Sequence, residues 1–279
     1  MNRFAKRLLI IIIYLILFFV IGLLLYLVFK AKPTCFDGKI NQGENEIDCG
    51  GPCRVCKEIP QVESLIILEK SFVIGASGGG KYDLMAKIEN PNNEYGSPKF
   101  HYQFALKDSA GQVLVQKEGD NFILPAGTKY IIETNIETQS VPSDIEIKIT
   151  DDIVWDKFSG YGQHEEPQLN IYNKRYNLIS SGAGFSEVYG LLRNESLFDF
   201  NLVNINIILR DGTSKLVALN KTDMRTVGSG EERDFRLVWP YSFPGDVQNI
   251  EMEAEANVFD SQNFIKKYLP DGKLQGISR

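Results

Sequence analysis

The chain has 279 residues, room for one large or two medium domains, and its 43% hydrophobic and 24% charged content is that of ordinary globular protein. All 36 acidic residues lie beyond residue 32 together with 25 of the 30 basic ones, so that part carries a net charge of −11. Such a balance argues against nucleic acid or anionic lipid as partners and fits a soluble, surface-exposed body.

Residues 8–29, LLIIIIYLILFFVIGLLLYLVF, are 22 consecutive residues without a charge. As a helix they would extend roughly 33 Å, against about 30 Å for the hydrocarbon core of a bilayer. The expectation is an uncleaved, single-pass transmembrane helix at 8–29, with the lipid bilayer as its partner. A cleaved signal peptide would have a shorter apolar core and a small-residue cleavage site, whereas this run ends in KAKPTC. Arg3, Lys6 and Arg7 precede the span, and Lys30 and Lys32 come after it. That bias makes residues 1–7 a cytoplasmic stub in the cell membrane and places the rest outside the cytoplasm.

All four cysteines fall in 33–60, a stalk-like stretch: Cys35, Cys49, Cys53 and Cys56. An even number in a short Gly-rich segment outside a membrane suggests two disulfides, with three pairings open. A four-thiolate zinc site is the rival, with Cys53-x2-Cys56 as a plausible half but no matching second half. Asp37, Asn41, Glu44 and Asp48 are interleaved with the cysteines and could offer hard oxygen ligands to calcium, or could simply make turns. The segment resembles a cysteine motif of bacterial and archaeal surface and secreted proteins, C-x-D-G-x-x-N-x-x-E-x-x-x-D-C-G-G-x-C-x-x-C. Every specified position is matched, from Cys35, Asp37 and Gly38 to Gly50, Gly51, Cys53 and Cys56. The resemblance implies an extracellular location and no particular activity.

Residues 72–90, FVIGASGGGKYDLMAKIEN, align with 176–194, YNLISSGAGFSEVYGLLRN, at a constant offset of 104. Gly78 and Gly80 meet Gly182 and Gly184, and Asn90 meets Asn194. Farther on, Asp108 meets Asp211 and Gly127 meets Gly230 at an offset of 103. A register held this long marks an internal repeat. FHYQFALKD alternates, with Phe100, Tyr102, Phe104 and Leu106 on one face. VNINIILRD does the same with Val203, Ile205, Ile207 and Leu209, and DIEIKI with Ile145, Ile147 and Ile149. A period of two between Gly, Pro and Asx turn signals predicts half-buried antiparallel strands. Each unit is expected to be an immunoglobulin-like β-sandwich, at 62–158 and 168–268, joined by a flexible connector at 159–167 and trailed by a polar tail at 269–279. FALKD in the first unit and IILRD in the second resemble the FxLyD family of small β-sandwich domains. Phe104, Leu106 and Asp108 match that pattern, while Ile207 replaces the phenylalanine in the second unit. The resemblance implies a fold and an envelope-facing context, without a catalytic residue.

Gly75 to Lys81 is a near miss to a phosphate-binding loop. Tyr82 stands where Ser or Thr would hold the metal, the residues after it alternate like a strand, and the second repeat lacks the lysine. No nucleotide is expected. Both histidines, His101 and His164, lack a neighbouring nucleophile signature. Asp151-Asp152, Glu165-Glu166 and Glu231-Glu232 read as solvated turn charges. Asn194-Glu-Ser196 and Asn220-Lys-Thr222 are carbohydrate acceptor motifs only in a host with that machinery.

The fold class expected is therefore mainly β: one N-terminal transmembrane helix, a Cys-rich stalk and two tandem immunoglobulin-like antiparallel β-sandwich domains. The expected function is non-enzymatic, with no cofactor. Two modules would be presented outside the membrane to an envelope protein partner. The alternative is a calcium-dependent adhesion or ligand-binding receptor using Asp37, Asn41, Glu44 and Asp48.

Overall fold

The computed structural model describes residues 3–29, 34–54, 56, 61–75, 80–150, 152–158 and 167–268, with side chains over 11–26 of the first helix and 262–266 of the last. The chain divides into two compact units, Met1–Pro60 and Gln61–Arg279.

The first unit opens with helix α1, Arg3–Phe29, whose large apolar side chains are exposed from Ile11 to Tyr26. The expected membrane crossing is not found: among the described residues no helix is long and apolar enough to cross a membrane. The fold class is corrected accordingly, to a mainly β protein with an N-terminal helix and a Cys-rich region. After α1 the chain is built from turns, closed by Cys35–Cys53 and Cys49–Cys56. Gly51, at φ +57°, sits so close to the Gly43 carbonyl oxygen that a Cβ would lie 2.2 Å from it. Only glycine fits that turn.

The second unit holds two similar sets of antiparallel strands. In the first repeat, β1 (Ile66–Ile74), β2 (Lys81–Glu89) and β5 (Thr128–Glu137) form one sheet in the order β1-β2-β5. β3 (Tyr95–Lys107), β4 (Val113–Ile123) and β6 (Asp144–Ile149) form a second in the order β4-β3-β6, with β7 (Asp156–Lys157) paired to β3. In the second repeat, β8 (Leu169–Leu178), β9 (Ser186–Asn194) and β12 (Glu232–Trp239) repeat the order β8-β9-β12. β10 (Phe200–Arg210), β11 (Leu216–Val227) and β13 (Asn249–Glu255) give β11-β10-β13. Strand for strand, the repeat read from the sequence reappears as the same sheet order. Lys81 opens a strand and not a helix; residues 76–79 of the Gly-rich stretch, and nearly all of the connector and tail, lie outside the described residues.

Alternation fills the cores as expected. Phe100, Tyr102, Phe104 and Leu106 of β3 pack with Leu84, Ala86 and Ile88 of β2 and with Ile145 and Ile147 of β6. Val203, Ile205, Ile207 and Leu209 of β10 pack with Val188, Leu192 and Trp239. Beyond β13 come two elements without a periodic signature, a 3-10 turn at Val258–Asp260 capped by the Asn257 side chain and a helix α2, Gln262–Tyr268. They add Val258, Phe259 and Phe264 to the second core.

One corner is built identically in both repeats. Asn90 Nδ2 donates to the carbonyls of Tyr95 (2.7 Å) and Leu124 (2.8 Å), and its backbone N–H donates to Gly127 (2.9 Å). Asn194 Nδ2 donates to Phe198 (2.7 Å) and Gly228 (2.9 Å), and its N–H donates to Glu231 (2.9 Å). Both asparagines are 0% exposed, so Asn194 cannot accept carbohydrate in the folded chain. Replacing Asn194 with alanine strands two buried carbonyls and is expected to cost about 1–3 kcal/mol. Thermal melts read this at roughly 2–4 °C per kcal/mol for a body this size; an unchanged melting temperature would mean that the corner carries no stability. At the other end, Asp108 Oδ1 accepts from the N–H of Ala110 and Gln112, at 2.8 and 2.9 Å. Asp211 Oδ1 accepts likewise from Thr213 and Lys215, at 2.8 and 3.0 Å. The aspartates that end FALKD and IILRD therefore close equivalent hairpin turns.

Candidate functional site

The two repeats are not independent modules. The outward face of β1-β2-β5 packs on the outward face of β11-β10-β13, and Met85, Tyr130, Ile132, Ile208, Leu216 and Leu219 form a buried cluster between them. Strands covered on both faces lose their polar side, which is why Ile208 of β10 is 0% exposed alongside Ile207. At the ends, Phe158 of the first repeat meets Phe259 edge-on at 5.2 Å between ring centres, and Phe122 joins the second core.

Polar groups run through this junction in a connected network. Arg210, 6% exposed, forks onto Glu69 of β1 with both distances 2.9 Å, and its Nε donates to Glu251 at 2.6 Å. Burial alone would lower the guanidinium pKa, but Glu69, Tyr130 and Glu251 together hold it above its ordinary value. The Tyr130 hydroxyl donates to Glu251 at 2.7 Å; burial first and that carboxylate second push the phenol up to about 12. The Tyr130 N–H donates to Glu253 Oε2 at 3.0 Å, and Asn206 Nδ2 donates to the Tyr130 carbonyl at 3.2 Å. Lys221 Nζ donates to the Ile132 carbonyl at 2.7 Å.

Beside the network lies an open cavity of about 260 Å³, bordered by segments of both repeats and lined by Phe122, Leu124, Leu169, Ala254 and Ala256 together with Lys129, Glu253 and Glu255. Lys129 is 5% exposed. Its Nζ is 2.6 Å from Asn121 Oδ1, 2.7 Å from Glu255 Oε2 and 3.6 Å from the centre of the Phe122 ring. Burial and then the neighbouring Glu255 push the Glu253 carboxyl up to about 7.

The residues singled out from sequence fall elsewhere. Cys35, Cys49, Cys53 and Cys56 are paired, and their sulfurs are thereby spent as thiolate ligands. Among the described residues, the groups of ligating atoms within 4.8 Å are Cys35, Glu44, Cys53 and Glu46, Cys49, Cys56, each built on a disulfide. Asp48 accepts from the N–H of Asp37 at 2.9 Å and of Gly38 at 3.1 Å. Asp37 accepts from the Lys39 N–H and from Asn41 Nδ2, at 3.0 and 2.9 Å, and the Asn41 bond holds its carboxyl below the usual range. Glu44 Oε2 accepts from the Asn41 N–H at 3.0 Å. The three acidic side chains and the Asn41 amide thus brace turns. His101 lies against Asp120 at 3.1 Å on a sheet surface. Glu231 accepts from the Gly228 N–H at 2.7 Å, and Glu232 pairs with Arg193 at 3.1 Å. His164, Asp151, Glu165 and Glu166 lie outside the described residues.

The junction went unread because its signals look like exceptions. Ile208 breaks the alternation of VNINIILRD, and Met85 and Ile132 are apolar where the second repeat has Tyr189 and Arg236. No protein-family model matches this chain, and no curated protein matches it either.

Proposed function

We propose that this chain is a non-enzymatic, extracytoplasmic scaffold. Its two immunoglobulin-like, FxLyD-like sandwiches act as one rigid body and offer a free sheet edge to a protein partner of the cell envelope. The observation that carries this reading is the edge strand β1. Among the described residues it bonds only to β2 in its sheet, and Ile66, Ile67, Leu68 and Ile74 along it are 44, 40, 49 and 53% exposed. A sheet edge with apolar side chains is a template for an added strand, which natural proteins otherwise blunt with charge or proline. Two disulfides support the location, since they persist in oxidising compartments. The junction supports the rigidity, because a buried fork from one repeat to the other fixes their relative placement.

The test is a photo-crosslinking residue at Leu68 in the full chain on whole cells, compared with one at Gln103 on a free sheet face. A discrete adduct from position 68 only, digested by protease added outside the cells, supports the reading. Equal adducts from both positions, or an adduct protected from protease until lysis, overturns edge docking or the location respectively.

A further inference from the structure

The floor of the junction cavity carries one more carboxylate than it has cations. Glu253 and Glu255 are two apart on β13, so strand alternation turns both toward the first repeat. Lys129 is committed to Glu255 at 2.7 Å. Among the described residues, Glu253 receives only neutral donors, the Tyr130 N–H at 3.0 Å and Asn206 Nδ2 at 3.2 Å. The next pair along β13 is closed on itself, with Glu251 held by Arg210 and Tyr130. Once ionised, Glu253 leaves a net negative charge facing a cavity of about 260 Å³ that Phe122, Leu124 and Leu169 also line.

We propose that this cavity binds a small organic cation, an alkylammonium compound whose charged head pairs with Glu253. Its methylenes would lie along Phe122, Leu124 and Leu169. A hard metal ion fits poorly, since it needs six or more oxygens at about 2.3–2.6 Å and of the two lining carboxylates Glu255 is already held by Lys129. An anion would face two carboxylates. The volume sits below the range of roughly 300–1,000 Å³ for drug-sized ligands, which favours a short chain.

Binding is linked to a proton. Glu253 faces Glu251 and Glu255 from its own strand, Lys129 and Tyr130 from β5, Asn206 from β10 and Asn121 from β4, with Arg210 behind Glu251. A cation selects the ionised carboxylate, so affinity rises with pH to about 7, where Glu253 titrates, and levels off above.

The test is calorimetric titration of the full chain with n-butylammonium, with n-butanol as the neutral control, at pH 6 and pH 8.5. The expected result is saturable one-to-one binding of the amine at pH 8.5, about tenfold weaker at pH 6, with no binding of butanol. Glu253→Gln keeps the hydrogen-bond acceptor and should lose the amine at both pH values. Equal affinity at the two pH values, equal binding of butanol, or undiminished binding by the folded Glu253→Gln variant would overturn the proposal, as would no saturable heat with the wild-type chain.

Discussion

Arg210→Ala is expected to destabilise the Gln61–Arg279 unit by about 2–4 kcal/mol and to uncouple its two repeats. Removing one partner of a buried ion pair typically costs about 3–5 kcal/mol, because the remaining charges stay desolvated. The figure here is set lower because the Glu69 and Glu251 side chains are each 35% exposed and can recruit water. Arg210→Lys is expected to recover less than half of the loss, since an ammonium cannot reproduce the two parallel bonds to Glu69 or reach Glu251 at the same time. Urea denaturation provides the measurement. The wild-type unit should unfold in one transition, and the alanine variant should show a lower midpoint with a shallower or split transition. A double-mutant cycle with Glu69→Gln separates the bond between repeats from the bond within the second one. Additive losses in that cycle, or a single unshifted transition, would mean that the apolar cluster couples the repeats without the fork.

Much of the fold is legible in the residues, and the reason is periodicity. The offset of 104 predicts two equivalent bodies because the same turn chemistry recurs: Asn90 and Asn194 at one corner, Asp108 and Asp211 at the other. Alternating Phe100, Tyr102, Phe104 and Leu106 predict a buried face because a strand has only two faces. Three features escape this logic. The disulfide pairing escapes because four cysteines permit three pairings, and loop geometry alone selects Cys35–Cys53 and Cys49–Cys56. The helix at 262–268 escapes because seven residues are too few to show a period. The membrane span expected at 8–29 rests on the length of an uncharged run, whereas among the described residues no helix is long and apolar enough to cross a membrane.

The junction escapes for a different reason: it is written in the differences between the repeats, not in their likeness. Ile208 and Leu219 pair across β10 and β11, where β3 and β4 pair Ala105 with Gln116. Met85 and Ile132 pair across β2 and β5, where β9 and β12 pair Tyr189 with Arg236. Each repeat is therefore apolar on the outward face that meets the other and polar on the face that does not. Polar outer faces of this kind are what the terminal units of repeat arrays present to water. The charged pair obeys the same rule. Lys107 and Glu146 form an ion pair on the free face of the first repeat, at the positions held by Arg210 and Glu251 in the second. Exchange of lysine for a planar fork marks the copy in which the pair must also reach Glu69.

Glu253→Gln is expected to remove most of a pH dependence that the wild-type protein shows between about pH 4.5 and 7. Burial and then Glu255 raise the Glu253 carboxyl to about 7 in the folded chain, from an ordinary value of 4.5. Over that window the folded state holds a proton that the unfolded state has lost, so stability falls as pH rises and is level on either side. A shift of this size corresponds to roughly 3 kcal/mol when each unit counts about 1.4. The glutamine side chain mimics the protonated acid, and its oxygen can still accept from Tyr130 and Asn206. The variant should therefore match the wild-type protein near pH 5 and exceed its stability at pH 8 by up to that amount. Other carboxylates titrate in both proteins, so the difference between the two urea midpoints isolates this one. A constant difference from pH 5 to pH 8 would mean that Glu253 is ionised throughout, and that the junction tolerates two carboxylates beside one lysine. Convergence at pH 5 with divergence at pH 8 would make the carboxylate excess a destabilising feature of the closed junction, held in place at neutral pH by the Arg210 fork.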